Sequence, residues 1–251
     1  MPDHPDPVFV AFCEAGLWPG LGRTTAGRLA AAGVTRLGEV TREALARVDG
    51  VSPARADRLL DAFLTAGPVY AVAGLLVGAG LPARLAARSS AELGRSAPDL
   101  LREDPWRLLD GGEAELAQAD RLAAALQVTA DDRRRGPAVL GYLLARAARA
   151  GDTAAPGGPL LRAAAREGVA DPAHALASAA ADGRLVVSDG LVALERYAMA
   201  EEAFAQGVER LAATAEPIEP RAAPSGDLDD AQRQAVTAAL EHGVSLLTGG
   251  P

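Results

Sequence analysis

Two short stretches of this chain carry residue types that can hold phosphate. The first is Pro19-Gly20-Leu21-Gly22-Arg23-Thr24-Thr25-Ala26. Two glycines, one residue apart, allow a tight turn whose backbone N–H groups face outward beside the start of a helix. Those amides and the positive end of the helix dipole form a phosphate nest that needs no lysine. Gly20, Gly22, Arg23, Thr24 and Arg28 are the candidate contacts, with Arg23 and Arg28 adding charge-assisted hydrogen bonds. The plain alternative is a helical hairpin that uses glycine only for its backbone shape. A turn at Gly50-Val51-Ser52-Pro53 is a weaker version, because Ser52 stands where the second glycine would be. The turn at Gly111-Gly112 is poorer still, since Glu113 and Glu115 would repel phosphate. The run Arg133-Arg134-Arg135 reads first as a solvated helix start that Asp131 and Asp132 can pair.

The second stretch closes the sequence. Leu228-Asp229-Asp230-Ala231-Gln232-Arg233-Gln234-Ala235-Val236 precedes Val244-Ser245-Leu246-Leu247-Thr248-Gly249-Gly250-Pro251. The Gln232 carboxamide offers an acceptor and two donors, which match the N6/N7 edge of adenine. A buried strand at 244–247 would deliver Gly249, Gly250 and Pro251 as the opening of a Gly-rich turn whose amides wrap phosphates. The alternative is a surface helix and strand with an incidental Gly-Gly end.

Composition limits the chemistry. All 25 basic residues among the 251 are arginine, so a lysine Schiff base, a lysine general base and a complete lysine-bearing phosphate loop are excluded within these residues. Cys13 is the single cysteine, and His4, His174 and His242 are scattered, so neither a disulfide nor a metal site is expected, and no catalytic residue. No apolar run reaches 18 residues and the start MPDHPDPVFV lacks a basic region, so neither a membrane span nor a signal peptide is expected and the reading is cytoplasmic. The formal charge is −8, and residues 1–128 hold 13 arginines against 16 acids. Any nucleic-acid contact must then rest on local arginines and backbone amides, and should be weak and sequence-independent.

The elements that position these residues are mostly helices. Apolar residues make up 49% and aromatics only 4%, so the core is Ala, Leu and Val, which favours close-packed helices. Residues 1–128 contain a loose repeat, in which Gly20/Gly80, Leu45/Leu108 and Asp57-Arg58-Leu59/Asp120-Arg121-Leu122 recur about 60 residues apart. This gives a first unit at 1–65 and a second, degenerate one at 66–128. Thr24 or Thr25 can cap a helix that Gly33 stops, a helix is expected at 43–48, and Pro53 suits a first helical turn. Residues 129–213 predict an amphipathic helix at 133–150, helices at 160–167 and 172–181, a β-hairpin at 183–194 turning at Ser188-Asp189-Gly190, and a helix at 198–213. Three helices followed by a hairpin is a winged-helix pattern. Residues 214–226 hold three prolines and read as a linker, and 227–251 start a new domain with a helix at 229–241 and a stop at Gly243.

Taken together, these features resemble the N-terminal region of RecD-like ATP-dependent DNA helicases of superfamily 1. The glycine turns resemble tandem helix-hairpin-helix motifs, and SLLTGGP resembles the start of the family's phosphate loop. LLREDPWRLL and AQADRLAAALQVTADDRRRGPAVLGYLL resemble two further family stretches, although Trp106 replaces the usual Tyr and the turn at Gly111 has lost its glycine-rich core. The resemblance implies a mainly α fold: tandem helix-hairpin-helix units, a winged-helix-like segment, then the first helix and strand of a P-loop α/β motor truncated in its phosphate loop. It implies ATP and Mg2+ in a longer protein, single-stranded or forked DNA as partner, 5′-to-3′ movement, and a role in repair or recombination. A non-enzymatic helix-hairpin-helix scaffold and an all-helical adaptor are the rivals. The expected outcome of an ATPase assay on these 251 residues alone is no turnover, and detectable hydrolysis would contradict it.

Overall fold

The computed structural model describes residues 4–216, 218, 228–242 and 244–248. Among them are 13 α-helices and three short strands. Helices α1 (Pro7–Glu14), α2 (Arg23–Ala31), α3 (Arg42–Ala46) and α4 (Pro53–Thr65) form the first group. Asp6 caps α1 by accepting from the Val8 N–H at 2.9 Å, and Ser52 caps α4, with Pro53 in its first turn. The cap of α2 is Gly22, not a threonine: Thr24 and Thr25 lie inside the helix, and Thr25 is buried. The turn geometry sets that start, because Gly22 is already extended and the chain enters the helix at Arg23.

The second group holds α5 (Gly67–Gly78), α6 (Leu85–Leu93), α7 (Ala97–Glu103), a 3-10 turn over Pro105–Gly111, and α8 (Leu116–Ala125). Helix α5 is the axis of this half, packing on α1, α6 and α7. Five aromatic residues collect where it meets the first group. Phe9, Phe12, Trp18, Phe63 and Tyr70 stack with ring centroids 4.5 to 6.3 Å apart. The polar ends of this cluster are satisfied: Trp18 Nε1 donates to the Leu59 carbonyl at 2.9 Å and the Tyr70 hydroxyl to Asp6 at 3.1 Å.

The third group comprises α9 (Arg135–Arg149), β1 (Ala154–Pro156), α10 (Gly157–Arg166), α11 (Pro172–Ala181), β2 (Leu185–Ser188), β3 (Leu191–Leu194) and α12 (Glu195–Thr214). The strands form one antiparallel sheet in the order β1-β3-β2, with Ala154 opposite Ala193 and Leu185 opposite Leu194. Asp189 and Gly190 both have positive φ, 51° and 78°, as a two-residue Asp-Gly hairpin turn requires. Helices α9 and α11 approach closely at Gly136, where a Cβ would fall 2.7 Å from that of Ala175. Last comes α13 (Asp230–Glu241). Residues 244–248 are not a buried strand: no strand among the described residues pairs with them, and Leu246 and Leu247 are exposed. Most of the expected linker, the Gly243 stop and Gly249, Gly250 and Pro251 lie outside the described residues. No described helix is long and apolar enough to cross a membrane by itself.

One polar network joins the second group to the third. Asp120 accepts from Trp106 Nε1 at 2.8 Å and from Arg135 Nε and Nη2, each at 2.9 Å. Burial pushes Asp120 up, but the bonds from Arg135 and Trp106 outweigh it and hold the carboxyl below the usual carboxylate range. Arg135 is therefore no solvated helix start; of the three-arginine run, Arg134 is the one that pairs with Asp132, at 2.7 Å. Asp57, the sequence equivalent of Asp120, pairs with Arg42 at the surface.

Asp120→Ala leaves a buried indole N–H and a guanidinium unpaired, and should lower unfolding free energy by about 2 kcal/mol, below the fully buried case because the carboxylate is 35% exposed. Asp57→Ala should leave the urea midpoint unchanged. Since the folded pKa of Asp120 is depressed, its contribution is complete above about pH 4, the unfolded value, and disappears as pH falls through the folded one. Urea melts of both variants at neutral and acidic pH check this; equal effects at neutral pH would contradict it.

Candidate nucleic-acid interface

The first hairpin is built around Gly20, whose φ is +79°. A Cβ there would meet Leu59 at 3.7 Å, an ordinary contact, so the backbone conformation and not space demands glycine. The Leu21 N–H donates to the Trp18 carbonyl at 3.1 Å and the Leu21 side chain is buried, which anchors the turn from below. Gly22 then starts α2 with no side-chain cap. The first-turn amides of α2, beside exposed Arg23 and Thr24, are left to solvent or a ligand.

The second hairpin repeats this geometry 30 residues on. Gly50 has φ +77°, and the Val51 N–H donates to Val48 at 3.0 Å above a buried Val51 side chain. It differs in one respect: Ser52 Oγ accepts from the Arg55 N–H at 3.3 Å, so one first-turn amide of α4 is already used.

Two arginines tie the hairpins together. Arg28 Nη1 donates to the Asp49 carbonyl at 3.0 Å and lies 3.7 Å from the Asp49 carboxylate. It sits so close that a Cβ on Gly50 would be 2.7 Å from it. Arg55 reaches back with Nη2 to Thr25 Oγ1 at 3.2 Å and with Nη1 to the Gly50 carbonyl at 3.3 Å. Arg28, a candidate phosphate contact, is bonded through Nη1 to the second hairpin, and its side chain stays half exposed. Arg55 is a residue that sequence reasoning misses, although its place after Ser52-Pro53 in the first turn of α4 is a usable signal.

A cleft of about 480 Å³ opens between α1 and α2 beside Arg23, lined by Phe9, Cys13, Glu14, Leu29 and Val34. Burial, and then Glu14, push the Cys13 thiol up to about 11, so it stays protonated and behaves as an apolar wall.

The later turns are arranged differently. Gly80 has φ +68° and Gly112 has φ +75°. Arg121 reaches the Gly80 carbonyl at 3.5 Å, Arg88 the Gly111 carbonyl at 3.1 Å, and Arg149 the Gly112 carbonyl at 3.4 Å. Glu115 accepts the Tyr142 hydroxyl of α9, which folds the Gly112 turn against that helix.

Gln232 lies exposed in the first turn of α13. Its Oε1 accepts from the Asp229 N–H at 3.1 Å, while Asp229 accepts from the Gln232 N–H at 2.8 Å. Oε1 keeps a second lone pair, and Nε2 donates to no partner among the described residues. Among the described residues no group of three or more His, Cys, Asp or Glu could hold a metal ion.

Residues 67–154 match the model of the ATP-dependent RecD2 DNA helicase helix-hairpin-helix domain, which supports a RecD-like helicase N-terminal region and is consistent with DNA binding. The matched stretch runs from α5 through α9 to the start of β1, so it covers the turns at Gly80 and Gly112 but not those at Gly20 and Gly50. No curated protein matches the chain.

Proposed function

We infer that the chain is the DNA-binding N-terminal portion of an ATP-dependent helicase, and that its hairpins at Gly20 and Gly50 hold the backbone of single-stranded or forked DNA without sequence preference. The observation that carries this is the pair of left-handed glycine turns locked together by Arg28 and Arg55, with the uncapped start of α2 and exposed Arg23 beside them. Backbone amides at a helix start bind phosphate oxygens directly, and Arg23 adds charge. Gly20 and Gly22 set the turn, Thr24 can donate its hydroxyl, and Arg28 acts by holding the second hairpin in place. The match at 67–154 supplies the helicase context.

The wider reading follows the same logic. Residues 1–65 and 66–128 would be two helix-hairpin-helix units, 129–213 a winged-helix-like segment that braces them, 214–226 a linker, and 227–251 the entry to a motor domain. The order helix, strand, two helices, hairpin from α9 to β3 supports the winged-helix part. Gln232 would contact adenine, with Gly249, Gly250 and Pro251 opening the phosphate loop. ATP and Mg2+ belong to that motor and supply the energy of 5′-to-3′ movement. A cytoplasmic role in repair or recombination fits this reading.

Arg23→Glu should weaken binding of a forked oligonucleotide, by on the order of tenfold at low salt, whereas Glu113→Ala should leave it unchanged. Filter binding over a salt series reads both variants; equal effects would contradict the assignment of the contact to the first hairpin.

A further inference from the structure

A second cleft, of about 510 Å³, lies between the 3-10 turn at Pro105–Gly111, α9, and the junction of the β-hairpin with α12. It brings together four guanidinium groups from four different segments: Arg107, Arg149, Arg184 and Arg196. Three carboxylates share the lining, Glu92, Asp110 and Glu195, so the cleft carries a surplus of one positive charge on a chain whose formal charge is −8.

The pairing inside the cleft is uneven. Asp110 serves two arginines at once, Arg107 at 3.2 Å and Arg184 at 3.9 Å. Among the described residues, Arg149 has only its 3.4 Å bond to the Gly112 carbonyl, and Arg196 only the face of Tyr197, 5.0 Å from the ring centroid. Neither forms an ion pair among the described residues. An arginine without a carboxylate keeps a flat fork of donors suited to two phosphate oxygens. An arginine lying on a tyrosine face also offers a stacking surface to an unpaired base.

We propose that this cleft is a second DNA contact, in which Arg149 and Arg196 hold phosphates of a single strand after it leaves the twin hairpins. The volume suits a short stretch of strand and not a duplex. Glu92 and Glu195 keep the site from becoming a general polyanion trap, and Tyr197 with Arg196 forms the stacking face. The proposal rests on the DNA-binding reading above, and it assigns a task to the junction between the second hairpin unit and the segment that follows it.

The test is fluorescence anisotropy of a labelled oligo-dT on the 251-residue chain across a salt series. The variants are Arg149→Gln/Arg196→Gln together, Arg196→Glu alone, and Arg23→Glu. Removing two phosphate contacts should flatten the slope of log K against log salt by about 1.4 and weaken binding on the order of tenfold at low salt. Arg196→Glu should move both readouts in the same direction; since among the described residues its side chain makes only the Tyr197 ring contact, a folding defect in the double variant cannot mask the result. Thermal melts should coincide with the parent for Arg196→Glu. An unchanged slope in both cleft variants, with Arg23→Glu still impaired, overturns the cleft and leaves the hairpin reading intact. Loss in the cleft variants with Arg23→Glu unaffected does the reverse. A third arm adds dTMP: if dTMP binds in a cleft-dependent way while the oligonucleotide does not, the site takes a free nucleotide and the proposal is overturned. No binding of oligo-dT by the parent chain overturns both readings.

Discussion

Left-handed turns leave backbone carbonyls that no helix can use, and at three of them, the turns at Gly50, Gly80 and Gly112, arginine takes one. Arg55 bonds the Gly50 carbonyl, Arg121 that of Gly80, Arg88 that of Gly111, and Arg149 that of Gly112. Arg28 does the same for Asp49, the residue before Gly50. Each of these turns is thus tied to a neighbouring helix, in addition to the apolar core beneath it. Arg55 shows why the residue type matters: its fork holds the Gly50 carbonyl and the Thr25 hydroxyl together, which a single ammonium on a flexible stem does less well. A chain whose 25 basic residues are all arginine is suited to this construction.

The same bonds separate two kinds of hairpin. At Gly20 and Gly50 the ties run sideways, from one hairpin to the other, and Arg23 with the start of α2 stays exposed. At Gly112 the tie runs inward, to α9, and Glu115 joins it through Tyr142. One turn design therefore serves as a presented surface in the first group and as packing in the second. The buried Trp106–Asp120–Arg135 network completes this division by fixing the 3-10 turn and α8 to α9.

Much of this is legible in the sequence, for identifiable reasons. The Gly20 and Gly50 turns, the Pro53 start, the Asp189-Gly190 hairpin and α11 all carry local punctuation that dictates backbone shape. Helix α5 does not: GPVYAVAGLLVG is apolar on every side, so no period marks it as a helix. Strand β1 is three residues long and exists only because β3 pairs with it. The expected strand at 244–247 fails for the converse reason, since apolar residues form a strand only with a partner. At the candidate site, glycine spacing gives the turn, but which way Arg28 and Arg135 point is set by Asp49 and Asp120, 21 and 15 residues away in sequence. No local pattern encodes such a partner.

The central claim is that phosphate is held by backbone amides of two mutually braced hairpins. A titration of ¹⁵N-labelled protein with a short single strand tests it most directly. The amides of Gly22, Arg23 and Thr24 and those of Ser52 and Ala54 should shift together along one saturation curve, and the shifts should collapse at high salt. Binding that leaves these five amides unmoved would contradict the account.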